Sequence, residues 1–89
     1  MPTNGETVPR VTIYTSPTCH WCQIAKRYLE EHLIAYDEVD IINNRSGRRE
    51  MVLMTGQHGV PVIRVGERAM VGWDAAEFEV LRFRKTRRR

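Results

Sequence analysis

Cys19 and Cys22 are the only two cysteines in the chain. Two residues separate them, so the sulfurs of a helix holding both would lie about one turn apart and could reach each other. A thiol pair placed this way suits two kinds of chemistry. It can exchange electrons with another disulfide, one thiolate attacking and the second thiol resolving the mixed disulfide. It can also supply half of a tetrahedral metal site. The usual second Cys-x-x-Cys or His-x-x-x-His pair is missing, so a zinc or iron–sulfur module would need a second copy of the chain to complete its ligands. A lone close pair in a reducing compartment is more often catalytic or metal-binding than structural.

The elements around the pair decide which thiol does what. "VTIYT" (11–15) is rich in β-branched residues and predicts a strand that Pro17 and Thr18 break. From Cys22 onward Ala25, Tyr28, Leu29 and Leu33 recur at helical spacing, with Lys26, Arg27, Glu30 and Glu31 assigned to the opposite, solvent face. Cys19 therefore falls at a helix N-terminus, where free N–H groups and the helix dipole favour an anion such as a thiolate. Helix N-termini and Cys-x-x-Cys contexts lower a thiol pKa from its ordinary ~8.5. Cys19 is the expected nucleophile, and Cys22, one turn inward, the shielded resolving thiol.

Further along, "AYDEVDII" (35–42) predicts a strand with one wet side. Asn43, Asn44 and Ser46 are cap-type residues that open a second helix, which Gly56 stops. "VPVIRVGERAMVG" predicts a hairpin turning at Gly66 and Glu67. Asp74 caps a last helix with Glu77 at capping-box spacing, and Ala75, Phe78 and Leu81 form its buried stripe. The order is βαβαββα: two parallel strands joined by a helix, then an antiparallel pair. This predicts an α/β fold, one mixed sheet with helices on both faces.

Composition agrees with a single ordinary globular domain: 89 residues, 42% hydrophobic and 28% charged. The net charge of +3 is unevenly distributed. The last eight residues carry six of the 14 Lys and Arg, which leaves eight basic residues against eleven acids in residues 1–81. The expected organisation is a flexible N-terminal segment (1–10), a folded body (11–81) and a basic C-terminal tail (82–89). Such a tail can bind phosphates or act as a scaffold, yet no nucleic-acid motif accompanies it, and no nucleic-acid partner is expected. No run approaches the ~18 apolar residues of a membrane span, and the residues together predict a cytoplasmic protein. His32 and His58 read as structural or solvated, and Tyr14, Tyr28 and Phe78 as core.

"YTSPTCHWC", "GVPVI" and "MVGWDAAEF", in that order and spacing, resemble the glutaredoxins of the thioredoxin-fold superfamily, most closely the small bacterial glutaredoxin-like redoxins, over about residues 11–81. The resemblance implies a four-stranded thioredoxin-like sheet and an enzyme that reduces protein disulfides or glutathione-type mixed disulfides through Cys19 and Cys22. Val60 and Pro61 match the family's Val-Pro pair, whose proline is cis and whose valine backbone pairs with substrate in strand fashion. Gly72, Trp73 and Asp74 match the region that holds the γ-glutamyl end of glutathione, with Trp73 free either to pack or to shape the substrate groove. No tightly bound cofactor is implied; glutathione or another low-molecular-weight thiol is the co-substrate, disulfide-containing proteins are the substrates, and a thiol or a thioredoxin-reductase-type enzyme is the electron donor of a monomer.

The sequence departs from the pattern in three places. Ser16 stands where many glutaredoxins have Lys, Val71 where many have the first of two glycines, and His20 and Trp21 replace a frequent Pro-Tyr pair. The first removes a cation that would meet a glutathione carboxylate. An imidazolium at His20 would stabilise the Cys19 thiolate and make the disulfide more oxidising, and Trp21 is expected on the apolar rim of the site.

Overall fold

The computed structural model describes residues 10–83. The expectations for the N-terminal segment up to residue 9, and for the basic tail from residue 84, lie outside them. The elements follow the order read from the sequence: β1 (Val11–Thr15), α1 (His20–Glu31), β2 (Asp37–Asp40), α2 (Arg45–Thr55), β3 (Val62–Val65), β4 (Arg68–Val71) and α3 (Ala75–Phe83). They form one four-stranded sheet in the order β2-β1-β3-β4. β1 and β2 are parallel, whereas β3 is antiparallel to both β1 and β4.

Period-2 alternation splits β1 between two cores. Val11 and Ile13 face one side and pack with Ala25 and Leu29 of α1, Ile63, Val65, Met70 and Phe78 of α3. Tyr14 faces the other and packs with Ile41, Val62 and Met51 of α2. Helices α1 and α3 therefore cover one face and α2 the other. Asn44 caps α2 by accepting the Gly47 N–H, and Gly56 ends it in the left-handed region at φ 72°. Gly66 turns the hairpin at φ 62°. Asp74 Oδ1 accepts the Glu77 N–H at 3.0 Å, the expected cap of α3.

Three details differ from the sequence reading. Leu33 is not in the buried stripe of α1: the helix ends at Glu31, and Leu33 stands beyond the His32 cap at φ 55° and 92% exposed. A helical period alone does not show where a helix stops. β2 keeps only Asp37–Asp40 of the eight residues expected; Asp40 turns back to accept the Ile42 N–H at 2.9 Å, ending the strand. Lys26 is not on a wet face; its side chain is 20% exposed and folds toward the sheet.

Candidate active site

β1 runs straight into the site. Thr15 ends it, the Cys19 N–H donates to the Ser16 carbonyl at 3.2 Å to close a turn, and α1 starts at His20. Cys19 is the N-cap of α1 in extended conformation, and its Sγ accepts the Cys22 N–H at 3.1 Å. A sulfur in this position replaces the oxygen that usually satisfies a helix's first free N–H groups. The first turn of α1 carries no acidic side chain to oppose an anion there. Cys19 and Cys22 form a disulfide, with Cα atoms 5.2 Å apart. Their surroundings differ: Cys19 is half-buried at the end of the helix, whereas Cys22 is fully buried against the sheet.

His20 is exposed, its ring edge-on to Trp21 with centroids 6.1 Å apart. Trp21 is 56% exposed. The Val60–Pro61 bond is cis, as the resemblance implies. Because Tyr14 pairs with Val62, this bond lies at the same end of the sheet as the end of β1 that leads to Cys19. The Gly72 N–H donates to the Pro61 carbonyl at 2.8 Å, tying the β4–α3 loop to the cis-proline loop. Val71, opposite Val62 on the edge strand, is 55% exposed. Trp73 is half-buried and packs on Tyr28 and Phe78, with centroids 5.2 and 5.4 Å away. This packing anchors the loop that carries Gly72 and Asp74.

One polar group at the end of β1 was missed by the sequence reading. Thr15, 2% exposed, donates its hydroxyl to Glu38 Oε2 at 2.8 Å, and the Lys26 ammonium donates to the same oxygen at 3.0 Å. A signal was available, since Lys26 is four residues from Cys22 and so on the same face of the helix. Among the described residues no group of three or more His, Cys, Asp and Glu side chains is placed to hold a metal ion, and no helix is long and apolar enough to cross a membrane.

Comparison with known proteins gives a consistent result. Residues 11–70 match the family model "Glutaredoxin". The chain is 37% identical over 71 residues to a glutaredoxin-like 8.6 kDa protein encoded in the rubredoxin operon of Clostridium pasteurianum, covering 80% of this chain and 95% of that one. It is 34% identical to the glutaredoxin-like protein NrdH of Lactococcus lactis, covering 80% and 97%. Among solved structures, the NrdH-redoxin of Escherichia coli superposes with a TM-score of 0.70 at 24% identity, covering 81% of this chain and 93% of that one.

Proposed function

The chain belongs to the glutaredoxin family and is a thiol–disulfide oxidoreductase, and on that premise we propose that it reduces protein disulfides by a dithiol route in which Cys19 attacks and Cys22 resolves. The Cys19 thiolate attacks one sulfur of the substrate disulfide and expels the other as a thiolate. Cys22 then attacks the Cys19 sulfur of the mixed disulfide, forming the Cys19–Cys22 disulfide and releasing the second half of the substrate as a thiol. The observation that carries this reading is the asymmetry of the pair, a half-buried sulfur at the helix N-cap and a fully buried one behind it.

Val60 offers its backbone to an extended substrate segment, and the Gly72–Asp74 loop forms the other wall of the groove. The Pro61 carbonyl holds that wall through the Gly72 N–H, and proline, having no N–H, adds no donor of its own. Exposed Trp21 and Val71 supply apolar surface of a kind that fits a protein partner. A glutathione carboxylate would find Ser16 in place of a cation, and one oxygen of Asp74 is already held by the Glu77 N–H. A protein reductase of the thioredoxin-reductase type is thus the preferred donor, and glutathione the weaker one. Both thiols come from one chain, so the reaction needs no second copy, and a lone exchangeable pair suits the reducing cytoplasm.

Two measurements test this. Cys19→Ser should abolish disulfide reduction, while Cys22→Ser should accumulate a mixed disulfide at Cys19 visible by mass spectrometry. Faster alkylation of Cys22 than of Cys19 in the reduced native protein would reverse the roles. Reduction of the oxidised protein should proceed faster with thioredoxin reductase and NADPH than with millimolar glutathione; the opposite order would assign the donor to glutathione.

A further inference from the structure

Backbone can pair with a substrate strand only through N–H and C=O groups that the fold has not already used. In the run from Gly59 to Pro61, just before β3, most are used. Gly59 gives both of its own to one side chain: its N–H donates to Gln57 Oε1 at 2.7 Å, and its carbonyl accepts from Gln57 Nε2 at 3.1 Å. Pro61 has no N–H, and its carbonyl accepts the Gly72 N–H at 2.8 Å. Among the described residues, the Val60 N–H and carbonyl have no hydrogen-bond partner. The Gln57 amide is itself tied down, because Nε2 also reaches Thr55 Oγ1 at 3.3 Å, and that hydroxyl donates to the carbonyl of fully buried Met51 in α2 at 2.7 Å. Both amide protons and the amide oxygen are thereby engaged, and only one orientation of the amide achieves this. Gln57 is half-buried between exposed Gly56 and His58, a glutamine turned inward. A Cβ on Gly59 would stand 2.9 Å from Gln57 Oε1, so glycine at 59 leaves room for the amide.

We propose that Gln57 is a positioning residue that sets the register of substrate pairing: by occupying both polar groups of Gly59 it leaves Val60 as the residue of this run that can pair with an extended peptide. The inference rests on the reading of Val60 as the residue whose backbone meets the substrate. The Gly59 carbonyl and the Val60 N–H belong to one trans peptide plane and point in opposite directions. Holding the carbonyl therefore aims the Val60 N–H away from Gln57, and the bond to the carbonyl polarises that N–H as a donor. Register matters because a strand that slips by one residue turns every side chain to the other face. With Gly59 also open, a peptide could pair one residue away and carry its disulfide to the wrong side of the groove. The clamp also orders the loop before substrate arrives, so binding does not bear that cost. A disulfide with no peptide backbone gains from neither effect.

The test compares two substrates in single turnover with reduced protein: a peptide disulfide whose leaving half carries a fluorophore, and 2-hydroxyethyl disulfide. Gln57→Ala should raise the half-saturation concentration for the peptide about fivefold, the worth of about one hydrogen bond, with the rate at saturation unchanged. Reduction of 2-hydroxyethyl disulfide should be unaffected, which also reports that the variant is folded. Gln57→Glu keeps an oxygen for the Gly59 N–H but has no N–H for the Gly59 carbonyl, and should show part of the loss. Gly59→Ala should reproduce the loss in the wild-type background and add nothing to Gln57→Ala, because its methyl group acts by displacing the amide. A wild-type half-saturation concentration for the peptide in Gln57→Ala would overturn the proposal, as would an equal loss on both substrates, which a merely structural role produces. Wild-type protein that takes up the peptide and a copy N-methylated on the residues flanking its cysteine equally well would overturn the Val60 reading itself, a result distinct from either.

Discussion

At the scale of single residues, the oxidising power of the pair depends on how far the reduced form is stabilised as a thiolate. Helix α1 already presents Cys19 with the Cys22 N–H and a first turn free of acids. His20 follows directly, exposed to solvent and in edge contact with Trp21. An imidazolium there attracts the thiolate and has no equivalent partner in the disulfide. An interaction of about 1 kcal/mol corresponds to a shift of about 20 mV in a two-electron couple. His20→Ala should therefore lower the reduction potential by that order. Equal potentials for wild type and variant would leave His20 as a solvated surface residue. This part of the site was legible in the sequence, because a cysteine at a strand-to-helix boundary already states its chemistry. Of the Thr15–Lys26–Glu38 unit only the place of Lys26 on the helix face of Cys22 was legible, since Glu38 reaches the unit through the β1–β2 register, a non-local pairing that no local period reports.

At the scale of elements, order and caps were readable because they are written in short-range rules: Asn44 and Gly56 bound α2, Asp74 opens α3, and Gly66 turns the hairpin. Ends set by competition were not. Leu33 follows the last turn of α1 in the left-handed region at φ 55°, a place glycine usually fills. Its N–H donates to Glu30 O at 3.1 Å, and the Ile34 N–H to Leu29 O at 2.8 Å, so the backbone terminates the helix correctly despite the branched side chain. A non-glycine residue pays about 1–2 kcal/mol there, and Leu33 at 92% exposure recovers almost nothing by packing. Leu33→Gly should stabilise the protein by about 0.5 kcal/mol after the added freedom of the unfolded glycine is subtracted, a rise of a few degrees in Tm; a fall in Tm would show that Leu33 has a packing partner. Gly47 behaves oppositely. It is buried in the first turn of α2, and a Cβ there would overlap Val39 Cγ1 and crowd the Asn44 cap at 3.1 Å. Gly47→Ala should cost about 1 kcal/mol, the overpacking of a tight site exceeding the ~1 kcal/mol gain in helix propensity. Urea midpoints of the variant at or above the wild-type value would show that β2 can shift to admit a methyl group.

At the scale of the whole molecule, all three tyrosines tie helices or strands together through carboxylates. Tyr14 donates to Glu50 of α2 at 2.9 Å, Tyr28 donates to Glu79 of α3, and Tyr36 donates to Glu30 of α1 at 2.6 Å. Each phenol is held above its ordinary pKa near 10. For Tyr14 and Tyr36 burial is the first cause and the carboxylate the second, for Tyr28 the bond to Glu79 comes first, and Tyr36 is pushed up to about 12. The sign follows from which state keeps the proton. Below about pH 10 the phenols are neutral in both folded and unfolded chains, and the stabilisation is fully present. Between about pH 10 and 12 the unfolded chain releases protons that the folded chain retains, so stability falls as pH rises. Phenolate absorbance of the native protein should therefore stay low through pH 10 and then rise together with loss of helical circular dichroism, whereas in 6 M guanidinium it should titrate near 10. Tyr36→Phe should lose about 1 kcal/mol at pH 7, the net worth of one hydrogen bond, but show a shallower decline between pH 10 and 12, because one of the phenols that link folding to alkaline protons is gone. A tyrosine that ionises near pH 10 in wild-type protein with its circular dichroism intact would mean that at least one of these three struts is open in solution.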